Sequence, residues 1–439
     1  MNFILRYILK LFAKAVIWKY QPTVVGITGN VGKSSSKEAI FAVVNSRFSA
    51  GGGSAVGGKA RRNLKNYNNE IGLPLAILGE ESAGKNIFKW LAIFLRASRL
   101  LAFRLSYPEI LILEMGADKP GDIGYLLSIV RPKIGVVTAI GEIPAHVEFF
   151  AGPEELALEK SKLAAALPAD GFAILNFDDD TVLAMKNKTK AHPLTFGLGE
   201  GASVRATDIH LSFRREDGEP SGGLSFKVSH KGSIVPVRLA NVFGKHQIYA
   251  ALAALAVGSA LNMNLVEISQ ALAGYKSPPG RLNLLKGIKN TVILDDTYNA
   301  SPMAARAALE TLGEISLESQ ARKIAVLGDM LEIGKYTIGA HQEIGRIARK
   351  IADVIFTVGP RAKFIAEEAE ELGFPKDKIF RFDDSAAAGK ELQKILQEGD
   401  LILVKGSQSM RMEKIVEEIM AEPLRAKELL ARQGEEWKN

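Results

Sequence analysis

The chain contains no cysteine among its 439 residues. This absence excludes disulfide bonds, thiolate zinc sites and thiol nucleophiles, and it is compatible with a reducing cytoplasm. Aromatic residues make up only 7% of the chain and form no arginine-rich, aromatic-interleaved block, so we expect no nucleic-acid partner. The formal charge of +7 is a mild basic excess, which suits anionic ligands or a membrane surface.

Long uncharged apolar runs are also lacking. Residues 2–19 are rich in Phe, Ile, Leu and Trp, but Arg6, Lys10 and Lys14 recur every fourth residue along one helical face. Three central charges argue against a membrane-spanning helix, and no small-residue cleavage site follows. A second basic and apolar stretch occupies residues 87–105. Both stretches could lie in a membrane interface at the inner face of the membrane, or they could be amphipathic helices packed on the domain or on each other.

The most informative pattern is a strand, a glycine loop and a helix within residues 23–44. The glycines of the loop allow its backbone N–H groups to turn inward, and the helix N-terminus adds partial positive charge, so the pattern predicts a phosphate site. Lys33 would reach the outer phosphates and the Ser34 hydroxyl would bind magnesium. The full eight-residue motif needs glycine at Ile27, so the match is to the shorter core GxxGKS. The predicted nucleotide-binding residues of this loop are Gly29, Asn30, Gly32, Lys33, Ser34 and Ser35.

Several polar segments follow the loop. The run at Ser49 to Gly58 predicts a mobile substrate loop or hinge, and an amide-rich segment containing Asn68 and Asn69 comes after it. Glu114 ends an apolar strand, which is where open parallel sheets place metal and phosphate ligands. His146 lies in the loop after the next predicted strand.

Alternating strands and helices predict an α/β fold, with a central phosphate-loop ATPase domain built on a mostly parallel sheet. Period-two alternation over residues 204–239 predicts an antiparallel excursion, with turns at Glu216-Asp217-Gly218 and Ser221-Gly222-Gly223. The boundary Ser277-Pro278-Pro279-Gly280 precedes a second, doubly wound Rossmann-like domain. The expected organisation is a basic amphipathic helix (1–20), the central domain (21–278), the C-terminal domain (279–425) and a charged tail (426–439).

Five motifs occur in one order across some four hundred residues, and together they resemble the Mur ligases, most closely the branch that adds D-alanyl-D-alanine. The motifs are Ile27-Thr28-Gly29-Asn30-Val31-Gly32-Lys33-Ser34, Glu114-Met115-Gly116-Ala117, Leu294 to Pro302, Val326 to Glu332, and Val404-Lys405-Gly406-Ser407. The resemblance implies an amide ligase that uses ATP and Mg²⁺, with a mobile C-terminal domain. In such enzymes a substrate carboxylate takes the γ-phosphate, and an amine then displaces phosphate from the acyl phosphate.

The resemblance also assigns metal and catalytic roles by position. Glu114 and His146 resemble the ligands of a second magnesium. Either Lys160 or Lys162 could match the family's carbamylated lysine, which helps to hold that metal, and the spacing to the following apolar turn favours Lys162. The implied catalytic residues are Lys33, His146, Lys162 and Arg281.

Nucleotide and substrate roles follow in the same way. Arg281 resembles the arginine that meets the phosphates once the C-terminal domain closes, and Asp296 the aspartate that orients the ribose, with Tyr298 and Asn299 beside it. The residues that resemble substrate contacts are Asn68 and Asn69 in the amide-rich loop, and Lys405, Ser407 and Arg411, which would face the amine or the tetrahedral intermediate.

Two departures from the family pattern matter. The family normally carries an N-terminal domain that grips the UDP-sugar end of the precursor, whereas only about twenty residues precede the first strand here. The central helix of the family normally opens with His-Asn and a further Asn that serve the adenine, whereas this chain has His246, Gln247 and Ala250. Gln247 could still bond a base edge and Tyr249 could stack, but Ala250 cannot replace an amide.

The leading hypothesis is therefore a ligase that adds D-alanyl-D-alanine to a muramyl-peptide precursor in peptidoglycan synthesis. The partners are then a small-molecule cell-wall precursor and an amino acid or dipeptide, in the cytoplasm. One alternative is a ligase of the same type with a non-UDP or lipid-linked acceptor held near the membrane. A second alternative is a nucleotide-binding scaffold without ligase chemistry. The sequence indicates no oligomeric state.

Overall fold

The computed structural model describes residues 2–49, 59–63, 67–216, 219–317, 320–434 and 437. The glycine run predicted at Ser49 to Gly58 lies, beyond its first residue, outside the described residues. Residues 217 and 218 of one predicted turn also lie outside them.

Strands and helices alternate along most of the chain. The strands are β1 (Thr23–Thr28), β2 (Ala60–Arg62), β3 (Ile110–Glu114), β4 (Ile134–Val137), β5 (Phe172–Asn176), β6 (His192–Gly197), β7 (Val204–Glu216), β8 (Glu219–His230), β9 (Ser233–Ala240), β10 (Asn283–Lys286), β11 (Val292–Asp296), β12 (Lys323–Gly328), β13 (Val354–Val358), β14 (Ile379–Phe382) and β15 (Leu401–Lys405). The helices are α1 (Asn2–Tyr20), α2 (Lys33–Ser49), α3 (Gly72–Leu78), α4 (Ile87–Ala102), α5 (Asp122–Leu127), α6 (Pro153–Ala165), α7 (Asp180–Leu183), α8 (His246–Ala260), α9 (Leu265–Leu272), α10 (Pro302–Glu314), α11 (Thr337–Ile351), α12 (Lys363–Glu371), α13 (Ser385–Ile395), α14 (Glu413–Ile419) and α15 (Ala426–Leu429).

The first unit is built on a sheet with the strand order β2-β3-β1-β4-β5-β6-β7-β8-β9. The pairings from β2 to β7 are parallel, and β8 and β9 add an antiparallel extension. The predicted α/β class with a mostly parallel sheet is confirmed. In the central pairing Ile27 lies beside Glu114, so the phosphate loop and this acid leave the sheet at the same edge.

The turn predicted at Ser221-Gly222-Gly223 is wrong. β8 runs straight through these residues and turns at Lys231 and Gly232 instead. Gly222 has φ = +146°, and a Cβ there would lie 2.1 Å from the carbonyl oxygen of Ser212 on β7. The glycines thus permit close approach of neighbouring strands rather than a reversal of the chain.

The second unit contains a sheet with the order β10-β11-β15-β12-β13-β14, in which only β10 is antiparallel to its neighbour. Residues 273–282 form the linker between α9 and β10, the first strand of the second sheet. Val147 and Phe243 of the first unit are buried in the core of the second. The two units therefore share apolar packing beside the linker.

The basic helices α1 and α4 pack on the first unit and on each other. Leu9, Ala13 and Val16 of α1 are completely buried in its core, and Phe12 stacks on Phe94 of α4. Lys19 donates to three carbonyl oxygens at the end of α4, at 2.6 to 2.9 Å, where a cation stabilises the helix dipole. No helix in the described part of the chain has the length and apolarity needed to cross a bilayer.

The segment counted as a charged tail folds against the second unit. Leu430 and Ala431 are buried. The guanidinium of Arg432, only 3% exposed, lies 2.6 Å from a carboxylate oxygen of Glu413 and donates to the carbonyl oxygens of Tyr298 (2.7 Å) and Thr297 (2.5 Å). Arg432 therefore ties residues 426–434 to the start of the second unit.

We expect Arg432→Ala to lower the free energy of unfolding by about 3 kcal/mol, because it leaves the buried carboxylate of Glu413 without one of its two arginines. Urea unfolding of wild type and variant measures the difference. Arg425→Ala is the matched control, since Arg425 pairs at the surface with Glu422 and Glu428 and should leave the unfolding midpoint unchanged. Equal effects of the two substitutions on the free energy of unfolding would contradict the stabilising role of Arg432.

Candidate active site

The phosphate loop is held in shape by residues that follow strand β4. Gly29 has φ = +139°, and a Cβ there would lie 2.0 Å from the Thr138 hydroxyl oxygen, so the position needs glycine. That hydroxyl donates to the Val31 carbonyl oxygen at 2.7 Å. The Asn30 side chain donates to the carbonyl oxygen of Ala145, also at 2.7 Å. The loop is thus fixed from outside, which leaves its inner face for an anion at the N-terminus of α2.

Lys33 folds over this loop. Its ammonium group donates to the Gly29 carbonyl oxygen at 2.8 Å. Burial lowers its pKa, the charges of Glu114 and Asp118 oppose that effect, and the nearby guanidinium of Arg281 adds to it. Ser35, the other expected loop residue at the start of α2, is buried.

Glu114 is 2% exposed at the carboxyl end of β3. Its Oε1 accepts from the Ser34 hydroxyl at 3.1 Å, and its Oε2 lies 3.4 Å from the Lys37 ammonium. Oε2 accepts no hydrogen bond from the described residues. A buried carboxylate oxygen without a hydrogen bond, beside a hydroxyl, fits Mg²⁺, which takes few protein ligands together with water and phosphate oxygens.

His146 pairs with the second unit. Its Nδ1 lies 2.6 Å from a carboxylate oxygen of Glu332, and its Nε2 lies 3.8 Å from Asp118. The hydrogen bond from His146 holds the pKa of Glu332 below its usual value. Within the described ranges, no three His, Asp or Glu side chains form a metal-binding group. His146 therefore links the two units here, and its expected role beside Glu114 as a ligand of the second magnesium stays a prediction.

Of the two candidate lysines on α6, Lys160 reaches the loop. Its side chain is buried and its ammonium donates to the Gly29 carbonyl oxygen at 3.2 Å. Burial and the charge of Lys33 hold its pKa well below the usual value. Lys162 is 45% exposed and lies 2.5 Å from Glu159. Residues two apart on a helix face different ways, so the lysine that the spacing favoured does not face the loop.

Arg281 lies at the junction of the units. Its guanidinium carbon is 4.1 Å from the centre of the Tyr298 ring, and its Nε is buried without a hydrogen bond to any described residue. Its carbonyl oxygen accepts from Ser277 at 2.6 Å and from Gln247 at 3.2 Å. The backbone of Arg281 is therefore anchored, while its side chain keeps unused donors near Lys33.

Gln247 is completely buried and is used by the linker. Besides its bond to Arg281 it donates to Ser277 at 3.1 Å and accepts from the Tyr275 hydroxyl at 2.9 Å. Both ends of the amide are thereby occupied, so the structure does not present Gln247 to a base. Tyr249, expected to stack, donates to Asp178 at 2.9 Å.

The acid and lysine of the second unit form a buried pair. A carboxylate oxygen of Asp296 lies 2.6 Å from the Lys405 ammonium, which also donates to the Asn299 carbonyl oxygen at 2.9 Å. The neighbouring His246 is kept neutral, because burial lowers its pKa to about 4. Its Nδ1 is buried and makes no hydrogen bond in the part of the chain described. His246 thus has a free ring nitrogen beside this pair.

The remaining expected substrate residues make structural bonds. The Ser407 hydroxyl accepts from the Leu331 N–H at 2.9 Å. Arg411 bonds to Glu413 at 2.5 Å and to the Trp437 carbonyl oxygen at 2.9 Å. Asn69 accepts the N–H of Gly72 at the start of α3, at 2.9 Å, whereas Asn68 lines a cavity beside Gly116. Arg411 and Asn69 are therefore engaged in holding the fold.

Sequence reasoning missed three residues at this site. Asp118 lies four residues beyond Glu114, and its negative charge raises the pKa of both Lys33 and Lys160 against the effect of burial. Glu332 and Arg432 reach the site from distant parts of the chain. The acid-rich spacing after Glu114 was a usable signal for Asp118, and Glu332 ends one of the five family motifs, whereas no local pattern identifies Arg432.

Comparison with known proteins agrees with this geometry. Residues 96–258 match the Mur ligase middle domain, and residues 280–408 match the Mur ligase glutamate ligase domain. The chain is 30% identical to the UDP-N-acetylmuramoyl-tripeptide–D-alanyl-D-alanine ligase of Bacillus subtilis, over 95% of this chain and 80% of that protein. It is 28% identical to the Escherichia coli protein of the same name, over 92% and 79%.

Solved structures agree as well. MurF from Thermotoga maritima in complex with ADP superposes with a TM-score of 0.74 at 26% identity, covering 94% of this chain and 83% of that one. MurF from Acinetobacter baumannii gives the same TM-score and identity, with coverage of 94% and 79%. The two matched domains, the loop and its acid together show that the chain belongs to the Mur ligase family of ATP-dependent ligases.

Proposed function

We propose that this Mur ligase joins D-alanyl-D-alanine to the tripeptide carboxylate of a UDP-N-acetylmuramoyl precursor in the cytoplasm, through an acyl phosphate. The observation that carries the proposal is the convergence of Lys33, Glu114 and Arg281 at one phosphate loop between two units. The proposed substrates are those in the names of the similar proteins.

The site residues suit phosphoryl transfer, which depends on positioning and charge neutralisation rather than on a protein nucleophile. The loop N–H groups and the N-terminus of α2 hold the phosphates, while Lys33 and Arg281 offset their charge. Magnesium, when bound to Ser34 and Glu114, would neutralise further phosphate oxygens. A carboxylate oxygen of the acceptor attacks the γ-phosphorus and ADP leaves. The amine then attacks the acyl carbon, and the tetrahedral intermediate expels phosphate.

The second unit supplies the amine side of the reaction. We place the nucleotide ribose at Asp296 and the incoming dipeptide near Lys405 and Ser407. Burial lowers the pKa of Lys405, an effect that the paired carboxylate of Asp296 opposes. The bonds to Asp296 and to the Asn299 carbonyl oxygen hold the Lys405 ammonium in place, and we propose that it donates to the oxyanion of the tetrahedral intermediate.

The decisive experiment is ADP release from ATP with UDP-muramyl-tripeptide and D-alanyl-D-alanine, with the product identified by mass. We expect a product equal to acceptor plus dipeptide less water, and a loss of about a hundredfold or more in kcat/KM for Lys33→Ala. A panel of acceptors and amines in the same assay fixes both substrates. ATP binding without amine-dependent phosphate release would indicate a scaffold, and turnover only on lipid-linked acceptors would reject the UDP precursor.

We also propose that Lys160, rather than Lys162, carries the carbamate of the family. Its amine is buried beside the loop and its lowered pKa leaves more of it neutral, which is the form that attacks carbon dioxide.

Lys160→Met should lower kcat by about a hundredfold, because the proposed carbamate beside the loop is lost while the side-chain volume is largely kept. Lys162→Met is the matched control and should retain activity, since Lys162 is half-exposed. Native mass spectrometry should detect a carbon dioxide adduct on wild type and on Lys162→Met only. The reverse pattern would assign the carbamate to Lys162.

A further proposal concerns location. Helices α1 and α4 touch, and both leave large apolar side chains in solvent, with Trp18 80% and Phe88 84% exposed. The basic residues Lys89 and Arg99 accompany them on α4. An anionic bilayer surface would cover the apolar groups and attract the cations, whereas a second copy would bring like charges together. We propose peripheral membrane contact through residues 2–19 and 87–105.

Sedimentation with anionic vesicles tests this contact. Wild-type protein should co-sediment in a salt-dependent manner, and Trp18→Glu combined with Phe88→Glu should abolish it. Leu424→Glu is the control, because Leu424 is 98% exposed but belongs to the second unit. Removing α1 is a poor test, since Leu9, Ala13 and Val16 belong to the core. Unchanged sedimentation of the double variant would refute the proposal.

A further inference from the structure

A cavity of about 420 Å³ lies between α1 and the first unit, which we name the α1 cavity. Its volume falls in the range of small-molecule sites. It is lined on one side by Arg6, Tyr7 and Lys10 of α1, and on the other by residues that include Asn68, Asp118 and Tyr125. Residues 6–10 lie before both matched family domains.

The α1 cavity adjoins the phosphate site. Gly116 and Asp118, which line it, follow Glu114 by two and four residues. The carboxylate of Asp118 lies 3.8 Å from His146. Its negative charge also raises the pKa of Lys33 and of Lys160. A ligand that fills the cavity would therefore have one end beside the phosphoryl-transfer site.

Every residue that lines the α1 cavity belongs to α1 or to the first unit. The acyl phosphate must form before an amine can attack it, so the carboxylate substrate must be held beside the phosphate loop whether or not the second unit contributes. This order of bond formation points to the acceptor, rather than the amine, as the occupant of the cavity.

The charges that line the cavity are mixed. Arg6, Lys10 and Lys119 supply positive charge, and Glu70, Asp118 and Asp122 supply negative charge. A diphosphate alone would favour a purely cationic lining, whereas balanced charges suit a peptide that carries both carboxylate and ammonium groups. The rings of Tyr7 and Tyr125 offer apolar surface for the aliphatic part of such a peptide.

Arg6 has donors to spare for a carboxylate. One of its terminal nitrogens lies 2.9 Å from Glu70, and its Nε is buried without a hydrogen bond to any residue described. A guanidinium offers five donors and binds carboxylates in a fork. Lys10 is held in place beside it by the Ser128 hydroxyl at 2.6 Å and by the face of the Tyr125 ring at 4.7 Å.

We propose that the α1 cavity binds the part of the acceptor peptide next to its reacting carboxylate, a segment with carboxylate and ammonium groups, and that Arg6 binds a non-reacting carboxylate of that segment. This inference rests on the proposed ligase function and names the helix that would select its acceptor.

The test compares Arg6→Met with wild type in the ligase assay. We expect the KM for the acceptor to rise about tenfold to a hundredfold, the range for a lost hydrogen bond to a charged group, with the KM for ATP and for the dipeptide unchanged. Lys14→Met is the matched control, because Lys14 is exposed on α1 about one turn beyond Lys10 and does not line the cavity. Arg6→Lys should give an intermediate KM, since it keeps the charge but loses the fork.

An acceptor whose non-reacting carboxylate is amidated gives the specific readout. It should raise the KM of wild type by the same factor as Arg6→Met, and it should raise the KM of Arg6→Met little further, because both changes remove one interaction. Additive effects, or an unchanged acceptor KM for Arg6→Met while wild type forms product, would overturn the assignment and leave the ligase function standing.

If wild type forms no product from the muramyl precursor, the proposed function fails, and calorimetry with the free tripeptide decides about the cavity separately. Binding that is lost in Arg6→Met but kept in Lys14→Met supports the α1 cavity as a peptide site. Absence of binding to wild type, or equal binding to both variants, overturns it.

Discussion

The carboxylate of Glu114 is almost completely removed from water at the mouth of the parallel sheet, and such a charge must be compensated by its neighbours. Ser34 and Lys37 do so directly. The surroundings go further than compensation, because Lys33 and Arg281 add positive charge within electrostatic reach. The cluster is therefore short of negative charge, and a polyphosphate is the ligand that restores the balance. The buried carboxylate of Glu114 determines where the cationic side chains lie, and their excess positive charge favours an anionic ligand.

Arg281 connects this cluster to the second unit. Its carbonyl oxygen is bonded by Ser277 and Gln247, and its guanidinium stacks on Tyr298. Arg432 donates to the carbonyl oxygen of Tyr298, so the segment that follows α15 supports the residue on whose ring Arg281 rests. A phosphate that draws Arg281 inward therefore acts on Tyr298 and on the second unit together. The bond from His146 to Glu332 provides a second point at which the units meet.

Features set by local sequence were predictable. The strand, loop and helix around Gly29 follow from an apolar run and two glycines, and the acid at the end of β3 follows from strand polarity. Errors arose where tertiary contacts decide. Gly222 looked like a turn, but its lack of a Cβ serves the close approach of β7. Lys160 and Lys162 are the same residue type two positions apart, and only the packing of α6 on the loop shows which of them reaches it. Gln247 looked available for a base, but its partners Tyr275 and Ser277 are brought to it by the fold of the linker.

Helix α1 shows how one amphipathic segment can serve three environments. With 3.6 residues per turn, Leu9, Ala13 and Val16 fall on the side that enters the core, while Arg6, Tyr7 and Lys10 fall on the adjacent side that faces the α1 cavity. Leu11 and Trp18 fall on the side opposite the core and remain exposed. The wall of the cavity and the exposed apolar side chains are thus rigidly joined through one helix whose core side is anchored. Any surface that covers Trp18 must then lie beside the cavity. The proposed membrane contact and the proposed acceptor site would therefore be neighbours on the same helix. An acceptor attached to a lipid could reach the cavity from that surface, and a soluble acceptor would meet the same residues from solution.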